Sequence, residues 1–281
     1  MNIIDFHTHV FPPQIVASRD RLLLRDAWFG ELYGHERARM ATAPQLLRSM
    51  DRAGIGRSVV FGFPWKDAGL LRESNDYVFE AVAAQPDRLI GFISLHPNET
   101  RATEAELARV DRQPVSGIGE LMPDGNGFRL SDLAVMRPVA EFAVAHKLPL
   151  LTHTSEPVGH EYPGKGRTYA RSVLALAESF PELVLVCGHW GGGLIFYELI
   201  PEVRHVLRNV YYDTASSCYI YDERIFQAAM PIAPHKVLFA TDYPMATPKR
   251  MMRHLDAAKL TEAQRQAILW GNAQRLLGLK A

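Results

Sequence analysis

The sequence predicts an α/β protein of the (β/α)8 barrel class, one domain over residues 1–281 with an insertion after the first strand. Three observations carry this. Apolar runs of strand length recur eight times, and each is followed by a segment of helical period. The runs are continuously apolar rather than alternating, as in parallel strands covered on both faces. An open dinucleotide-binding sheet would place a glycine-rich turn after its first strand. Here that turn reads His7-Thr8-His9.

Each element has a local reason. Ile3-Ile4-Asp5-Phe6 is strand-forming and runs into His7-Thr8-His9. Residues two apart on a strand share a face, so His7 and His9 project together. The segment Val10–Ala41 is long for a connection and reads either as a binding loop or lid, or as a plain insertion with a short helix. Thr42 caps a helix that stops at Gly54. Strands follow at Arg57–Phe63, Leu89–His96, Val115–Glu120, Leu148–His153, Leu183–His189, Val210–Thr214 and Lys236–Asp242. Helical segments alternate with them: Leu71–Gln85, Arg101–Arg112, Leu130–His146, Thr168–Ser179, Leu194–Leu207 and Glu223–Met230, then Pro248–Lys259 and Glu262–Leu277. No repeat, low-complexity tract or linker interrupts the series.

Composition bounds the function. Lys plus Arg equals Asp plus Glu, 31 against 31, so no basic excess points to nucleic acid or an anionic membrane surface. No apolar run approaches the ~20 residues of a membrane span, and the start has no signal-peptide pattern. Two cysteines, Cys187 and Cys218, make a disulfide framework improbable and a reducing cytoplasm the default.

The chemistry-bearing residues collect at strand ends. The first strand ends in His7 and His9, the fourth in Glu120, the fifth in His153, the sixth in His189 and the eighth in Asp242. A closed barrel brings these positions round one axis, on the face where such barrels hold their active sites. Four imidazoles and two carboxylates suit Zn²⁺ first, then Mn²⁺ or Fe²⁺. Singly, each has a plainer reading: a hydrogen-bonded strand-end histidine, a turn aspartate before proline, a glutamate paired with arginine. His96 reads as a turn or pocket residue. In the loop after the fifth strand, Lys165 and Arg167 either clamp a substrate carboxylate or lie solvated. Trp65, Trp190, Tyr219 and Tyr221 are candidate pocket walls or ordinary packing, and His160 is a weaker candidate ligand or acid.

Five stretches carry a resemblance: Ile4-Asp5-Phe6-His7-Thr8-His9, residues 46–55, Gly188-His189-Trp190-Gly191-Gly192, Thr241-Asp242-Tyr243-Pro244 and residues 271–277. Through them the chain resembles the amidohydrolase superfamily, in its amidohydrolase-2 branch. That branch includes aminocarboxymuconate semialdehyde decarboxylase, resorcylate decarboxylases and several lactonases. The resemblance implies that His7, His9, His153 and Asp242 bind a metal and that His189 is a catalytic histidine or supports the ligands. In relatives with two ions, a glutamate where Glu120 stands bridges them. One ion is the expectation here, with two left open, and a homodimer is implied.

The expected activity is hydrolysis of a small, carboxylated ester, lactone or amide by metal-activated water. Asp242 would move the proton and His189 steady the oxyanion. The alternative is a non-oxidative decarboxylase of an aromatic or muconate-type acid, in which Asp242 or His189 protonates carbon.

Overall fold

The protein is described by a computed structural model covering residues 2–280. Eight strands form one sheet in sequence order: β1 (Ile4–His9), β2 (Arg57–Phe61), β3 (Leu89–Ile93), β4 (Val115–Leu121), β5 (Leu150–Thr152), β6 (Leu185–Cys187), β7 (Val210–Asp213) and β8 (Val237–Leu238). Every neighbouring pair is parallel. The ring closes where the segment after β8 meets β1. Phe6 N donates to Phe239 O at 2.8 Å, Asp242 N to His7 O at 2.9 Å and His9 N to Tyr243 O at 2.7 Å. The architecture is the (β/α)8, or TIM, barrel.

The buried side chains divide by strand parity, as a barrel inside a helical ring requires. Ile4, Phe6, Val59, Phe61, Ile90, Phe92, Leu151, Val186 and Leu238 form one cluster inside the barrel. Their neighbours Val60, Leu89, Ile93, Leu150, Leu185, Cys187 and Val237 belong to a larger cluster between strands and helices.

Three short helices, α1 (Pro13–Ala17), α2 (Arg19–Leu23) and α3 (Ala27–Tyr33), occupy the insertion. They are followed by α4 (Ala43–Ala53), where Thr42 and Gln45 form a reciprocal cap and Gly54 stops the helix at φ 68°. The remaining major helices are α5 (Ala68–Ala84), α6 (Thr100–Leu107), α7 (Pro123–Asn126), α8 (Leu133–His146), α9 (Ala170–Ser179), α10 (Pro201–Val206), α11 (Ser217–Ile220), α12 (Arg224–Ala229) and α13 (Pro248–Ala257). The insertion is no surface ornament. Phe11, Phe29 and Tyr33 pack with Phe63 and Trp65 in an aromatic cluster of their own, with Phe29 stacked on Tyr33 at 4.8 Å.

Two departures from the expected elements have clear causes. The helix expected over Leu194–Leu207 is replaced by short 3-10 turns ending at Leu199, which follow a left-handed stretch over 189–193, and then by α10, because Pro201 cannot continue the first helix. The strand expected over Lys236–Asp242 pairs only at Val237 and Leu238, because the chain then bends to reach β1.

Candidate metal centre

Two strands each carry one residue more than their neighbours at the top of the barrel. Between Asp5 and Thr8, β1 spans three steps while β2 spans two, from Ser58 to Val60. Between Ile118 and Leu121, β4 does the same against Leu150 and Thr152 of β5. An extra residue of this kind re-aims the side chains beyond it. In β1 it lets both Phe6 and His7 face inward. In β4 Ile118 faces the helices, so strict alternation would send Glu120 outward as well. The extra residue turns Glu120 into the barrel mouth instead.

His189 is placed differently. After β6 the chain makes a left-handed run from His189 (φ 54°) through Gly193 (φ 89°). A side chain at Gly192 would strike the Ser155 carbonyl oxygen, so the loops after β5 and β6 interlock there. Asp242 also has a left-handed backbone, φ 66°, uncommon for a residue with a side chain. Its N–H on His7 O and its Oδ2, which accepts from Ser216 Oγ at 2.6 Å, hold it there.

All six strand-end candidates are buried and converge. His7 Nε2 lies 3.3 Å from His9 Nε2, 3.4 Å from Glu120 Oε2 and 3.8 Å from Asp242 Oδ1. His9 Nε2 lies 3.5 Å from Glu120 Oε2 and 3.4 Å from Asp242 Oδ1. A regular tetrahedron with edges of about 3.5 Å has its centre about 2.1 Å from each corner, the bond length of imidazole and carboxylate to Zn²⁺. His7 Nε2, His9 Nε2 and Asp242 Oδ1 sit at about this spacing and fit a divalent cation, and Glu120 Oε2 lies close to both histidines. His153 stands apart from that set: its Nδ1 is 3.2 Å from Glu120 Oε1 and 3.1 Å from His189 Nε2. The structure thus divides the candidates into two triads, His7–His9–Asp242 and Glu120–His153–His189, whereas the resemblance implies His153 beside the first histidine pair.

The surrounding hydrogen bonds fix which ring nitrogens carry protons. His7 Nδ1 faces Asp213 Oδ2 at 2.8 Å and His189 Nδ1 faces Ala215 O at 2.9 Å. Both partners only accept, so these nitrogens carry hydrogen, and a neutral ring turns its lone pair on Nε2 to the centre. Asp213 Oδ1 also accepts from His189 N at 3.0 Å and Ala215 N at 2.9 Å. Sequence reasoning does not single out Asp213, although it ends β7 just as Glu120 and His153 stand at the tips of β4 and β5. The signal was there in the strand-end pattern.

Electrostatics follow the same contacts. Burial alone would push the His7 imidazole down, but Glu120 and Asp213 raise it well above its ordinary value. Burial would raise Glu120, yet His7 and His153 hold it well below the usual carboxylate range. His153 is raised against its burial by Glu120. Asp242 is lowered against its burial by His9, His7 and His189. One step below, burial pushes Asp5 up to about 7 despite hydrogen bonds from Thr241. Asp5 Oδ2 accepts from Thr241 Oγ1 at 2.6 Å and so ties β1 to the turn that carries Asp242.

The centre opens onto a cavity of about 770 Å³, walled by Trp28, Leu32, Tyr33, Met122, Tyr162, Tyr219, Ile220 and Met245. Arg37 and Arg39 of the insertion and Arg250 and Arg253 of α13 line its rim. Among the described residues none of these four guanidinium groups pairs with a carboxylate. Sequence reasoning missed them because elements from opposite ends of the chain bring them together. The clamp expected from Lys165 and Arg167 is not at this cavity. Lys165 Nζ donates to the carbonyls of Gly159 and His160 at 3.1 and 3.0 Å and so organises its own loop. Arg167 is exposed and does not line the cavity. Tyr219 and His160 do line it. Trp65 and Trp190 are core residues, with indole N–H groups on Ser74 and Ser217.

A barrel with a buried His/Glu/Asp centre at the tips of its strands is the frame of an enzyme, with its chemistry at the mouth. The chain belongs to the amidohydrolase family, whose model matches residues 4–279. It is 26% identical over 252 residues to a gamma-resorcylate decarboxylase of Polaromonas sp. (strain JS666), covering 74% of this chain and 76% of that protein. In fold it is similar to 5-carboxyvanillate decarboxylase from Sphingomonas paucimobilis, at 19% identity, TM-score 0.77 and 99% coverage of both chains. It is also similar to the dihydroxybenzoic acid decarboxylase of Polaromonas sp. JS666 with bound manganese and the inhibitor 2-nitroresorcinol, at 22% identity, TM-score 0.73, and 100% and 98% coverage. The expectation of a hydrolase is overturned by the relative's activity: γ-resorcylate decarboxylase is a carboxy-lyase. The active-site parts do not distinguish the two reactions, which is why the sequence motifs pointed to the wrong one.

Proposed function

We propose that the whole chain, residues 1–281, forms one catalytic domain that removes the carboxylate of an aromatic acid without oxidation, using a divalent ion. The reading rests on the joining of this donor set, at the floor of an aromatic-walled chamber, with similarity to a γ-resorcylate decarboxylase. His7, His9, Glu120 and Asp242 would hold the ion, which when bound polarises the oxygens of the acid and fixes its carboxylate. Mn²⁺, Zn²⁺ and Fe²⁺ all suit this ligand set.

The reaction needs one proton at the ring carbon that bears the carboxylate. The bond to the carboxyl carbon then breaks, its electron pair restores the ring, and carbon dioxide leaves. Asp242 would carry that proton. It faces the cavity, and Ser216 Oγ steadies its second oxygen. The aromatic wall suits a flat ring, and the four rim arginines favour an anion over a neutral molecule. An apolar cavity of about 150 Å³ already holds benzene, so the chamber admits a substituted ring. The same reading takes the protein as a homodimer, with exposed Tyr197, Leu199 and Ile200 as apolar surface that pairing would cover. No described helix is long and apolar enough to cross a membrane.

The test is incubation of Mn²⁺-loaded protein with 2,6-dihydroxybenzoate and other hydroxylated benzoates, following carbon dioxide and the decarboxylated phenol. Stoichiometric release of both is expected. A protein that carries its metal yet releases no carbon dioxide from any carboxylated phenol would defeat the reading.

A further inference from the structure

A second cavity, of about 350 Å³, adjoins the main chamber, and Arg39 and Pro244 line both. Its wall carries Arg39 from the insertion, Gln45, Arg48 and Arg52 from α4, and Tyr243, and no carboxylate lines it. We propose that this cavity binds the phosphoryl group of a small phosphate monoester, and that the bound group, by engaging Arg39, weakens the hold of the main chamber on its anionic substrate. The binding site stands by itself; the effect on the substrate rests on the carboxy-lyase reading.

Three observations carry the proposal. The first is a surplus of donors. Among the described residues, Arg39, Arg48 and Arg52 pair with no carboxylate. Asp51, the only acid of α4, is taken by Arg88 at 2.7 Å. Gln45 Oε1 accepts from Thr42 N at 2.8 Å and Thr42 Oγ1 at 3.2 Å, which leaves the amide N–H groups for a ligand. Gln45, Arg48 and Arg52 stand at i, i+3 and i+7 of α4 and so share one face. Arg48 and Arg52, one turn apart, repel each other until an anion lies between them. The three arginines are exposed, so the cavity is open to a dissolved ligand.

The second is the kind of anion this wall suits. A carboxylate has two oxygens and one charge, which a single guanidinium satisfies in a bidentate pair. A phosphoryl group offers three acceptor oxygens and a charge of about −1.5 to −2 near neutral pH, a match for three guanidinium forks and an amide. At about 350 Å³ the cavity is more than twice the ~150 Å³ that holds benzene. It has room for an organic part beside the phosphoryl group, and Met40, Ala41 and Pro244 give that part an apolar side. The third is the shared wall. Tyr243 and Pro244 directly follow Asp242, and Tyr243 O accepts from His9 N at 2.7 Å. Of the three arginines only Arg39 also lines the main chamber. Its one guanidinium cannot serve two anions, so a ligand in the second cavity removes a positive charge from the substrate's rim. The coupling is reciprocal: substrate weakens the phosphate ester by the same factor.

The experiment is isothermal titration calorimetry of the Mn²⁺-loaded protein with phenyl phosphate, with inorganic phosphate and, at equal ionic strength, with sodium chloride. Phenyl phosphate should bind saturably, one per chain, inorganic phosphate more weakly, and chloride not at all. Arg48→Gln and Arg52→Gln should each weaken phenyl phosphate about tenfold through loss of a charged hydrogen bond. Both side chains are exposed, so neither change disturbs the core. In turnover of 2,6-dihydroxybenzoate, phenyl phosphate should raise KM about fivefold to a plateau with kcat nearly unchanged. Arg48→Gln should keep the basal KM and lose that response. Absence of saturable binding overturns the proposal, as does binding unchanged in both α4 variants, which puts the ligand in the main chamber. Inorganic phosphate binding as tightly as the ester overturns the ester and gives the site to free phosphate. A KM that climbs without a plateau overturns the coupling through Arg39. Binding that the α4 variants weaken, in a protein that releases no carbon dioxide, keeps the site and sinks the carboxy-lyase reading.

Discussion

Asp213→Asn tests whether the centre depends on a residue that lies outside both triads. In the structure every face of the Asp213 carboxylate meets a donor: His7 Nδ1–H at 2.8 Å on Oδ2, and His189 N and Ala215 N at 3.0 and 2.9 Å on Oδ1. Asparagine has one accepting oxygen. If that oxygen keeps the two backbone N–H groups, the amide NH₂ faces His7 Nδ1. The ring must then move its proton to Nε2, the nitrogen that points at His9 and Glu120. That nitrogen no longer binds a cation. Losing a partner that orients a ligand costs about 10–100-fold in metal affinity, or about 1.4–2.7 kcal/mol. Competition against a fluorescent chelator should show the Mn²⁺ dissociation constant rising by that factor. Activity should fall at limiting metal and recover partly in excess. An unchanged dissociation constant in a folded variant would refute the role given to Asp213 and weaken the assignment of His7 Nε2 to the ion.

Further outcomes follow from the same geometry. Because Glu120 and Asp213 raise His7 against its burial, the metal-free protein keeps a proton there at neutral pH. Metal uptake must release it, and apparent affinity should drop about tenfold per pH unit for each proton displaced; a pH-stat that records no release near neutrality would contradict this. The sign for stability is also set. With the folded value raised above 6.5, the contribution of His7 to the metal-free fold is complete below 6.5 and fades as pH rises through the raised value. Denaturant titration of chelated protein should therefore read this contribution as smaller at high pH, and His7→Gln should flatten the trend. Tyr33 is almost fully buried and lines the cavity, and its hydroxyl bonds no described residue. Tyr33→Phe should lower kcat/KM about tenfold through loss of one substrate hydrogen bond, with Tm nearly unchanged; a large drop in Tm with normal kinetics would mean that the hydroxyl is structural. Arg250 rests on the Tyr219 ring, 4.2 Å from its centre, at the rim. Arg250→Ala should raise KM for a hydroxybenzoate about tenfold with little change in kcat, and an unchanged KM would remove it from substrate binding.

Much of the barrel is legible because its signals are local. Continuous apolar runs mark the strands, and Thr42 and Gly54 fix both ends of α4. The strand-end polar residues are legible once eight units imply a closed ring. Glu120 shows the limit. Its aim depends on one extra residue in β4, a property of register against β5 that no single strand displays. The rim arginines depend on where the insertion and α13 meet, and Lys165 on a loop folding back on its own carbonyls. The reaction itself was misread for a different reason: one donor set serves both hydrolysis and decarboxylation, so residue types cannot separate them.

The aromatic cluster of the insertion carries a cost for diversification. Tyr33 belongs at once to that packed group and to the chamber wall, stacked on Phe29, which in turn meets Trp65 at 4.6 Å. Enlarging the chamber by trimming one ring loosens the stack behind it, and removing a buried aromatic side chain costs about 3–5 kcal/mol. A lineage drifting toward bulkier acids would therefore have to gain spare stability elsewhere first, or change several rings in concert.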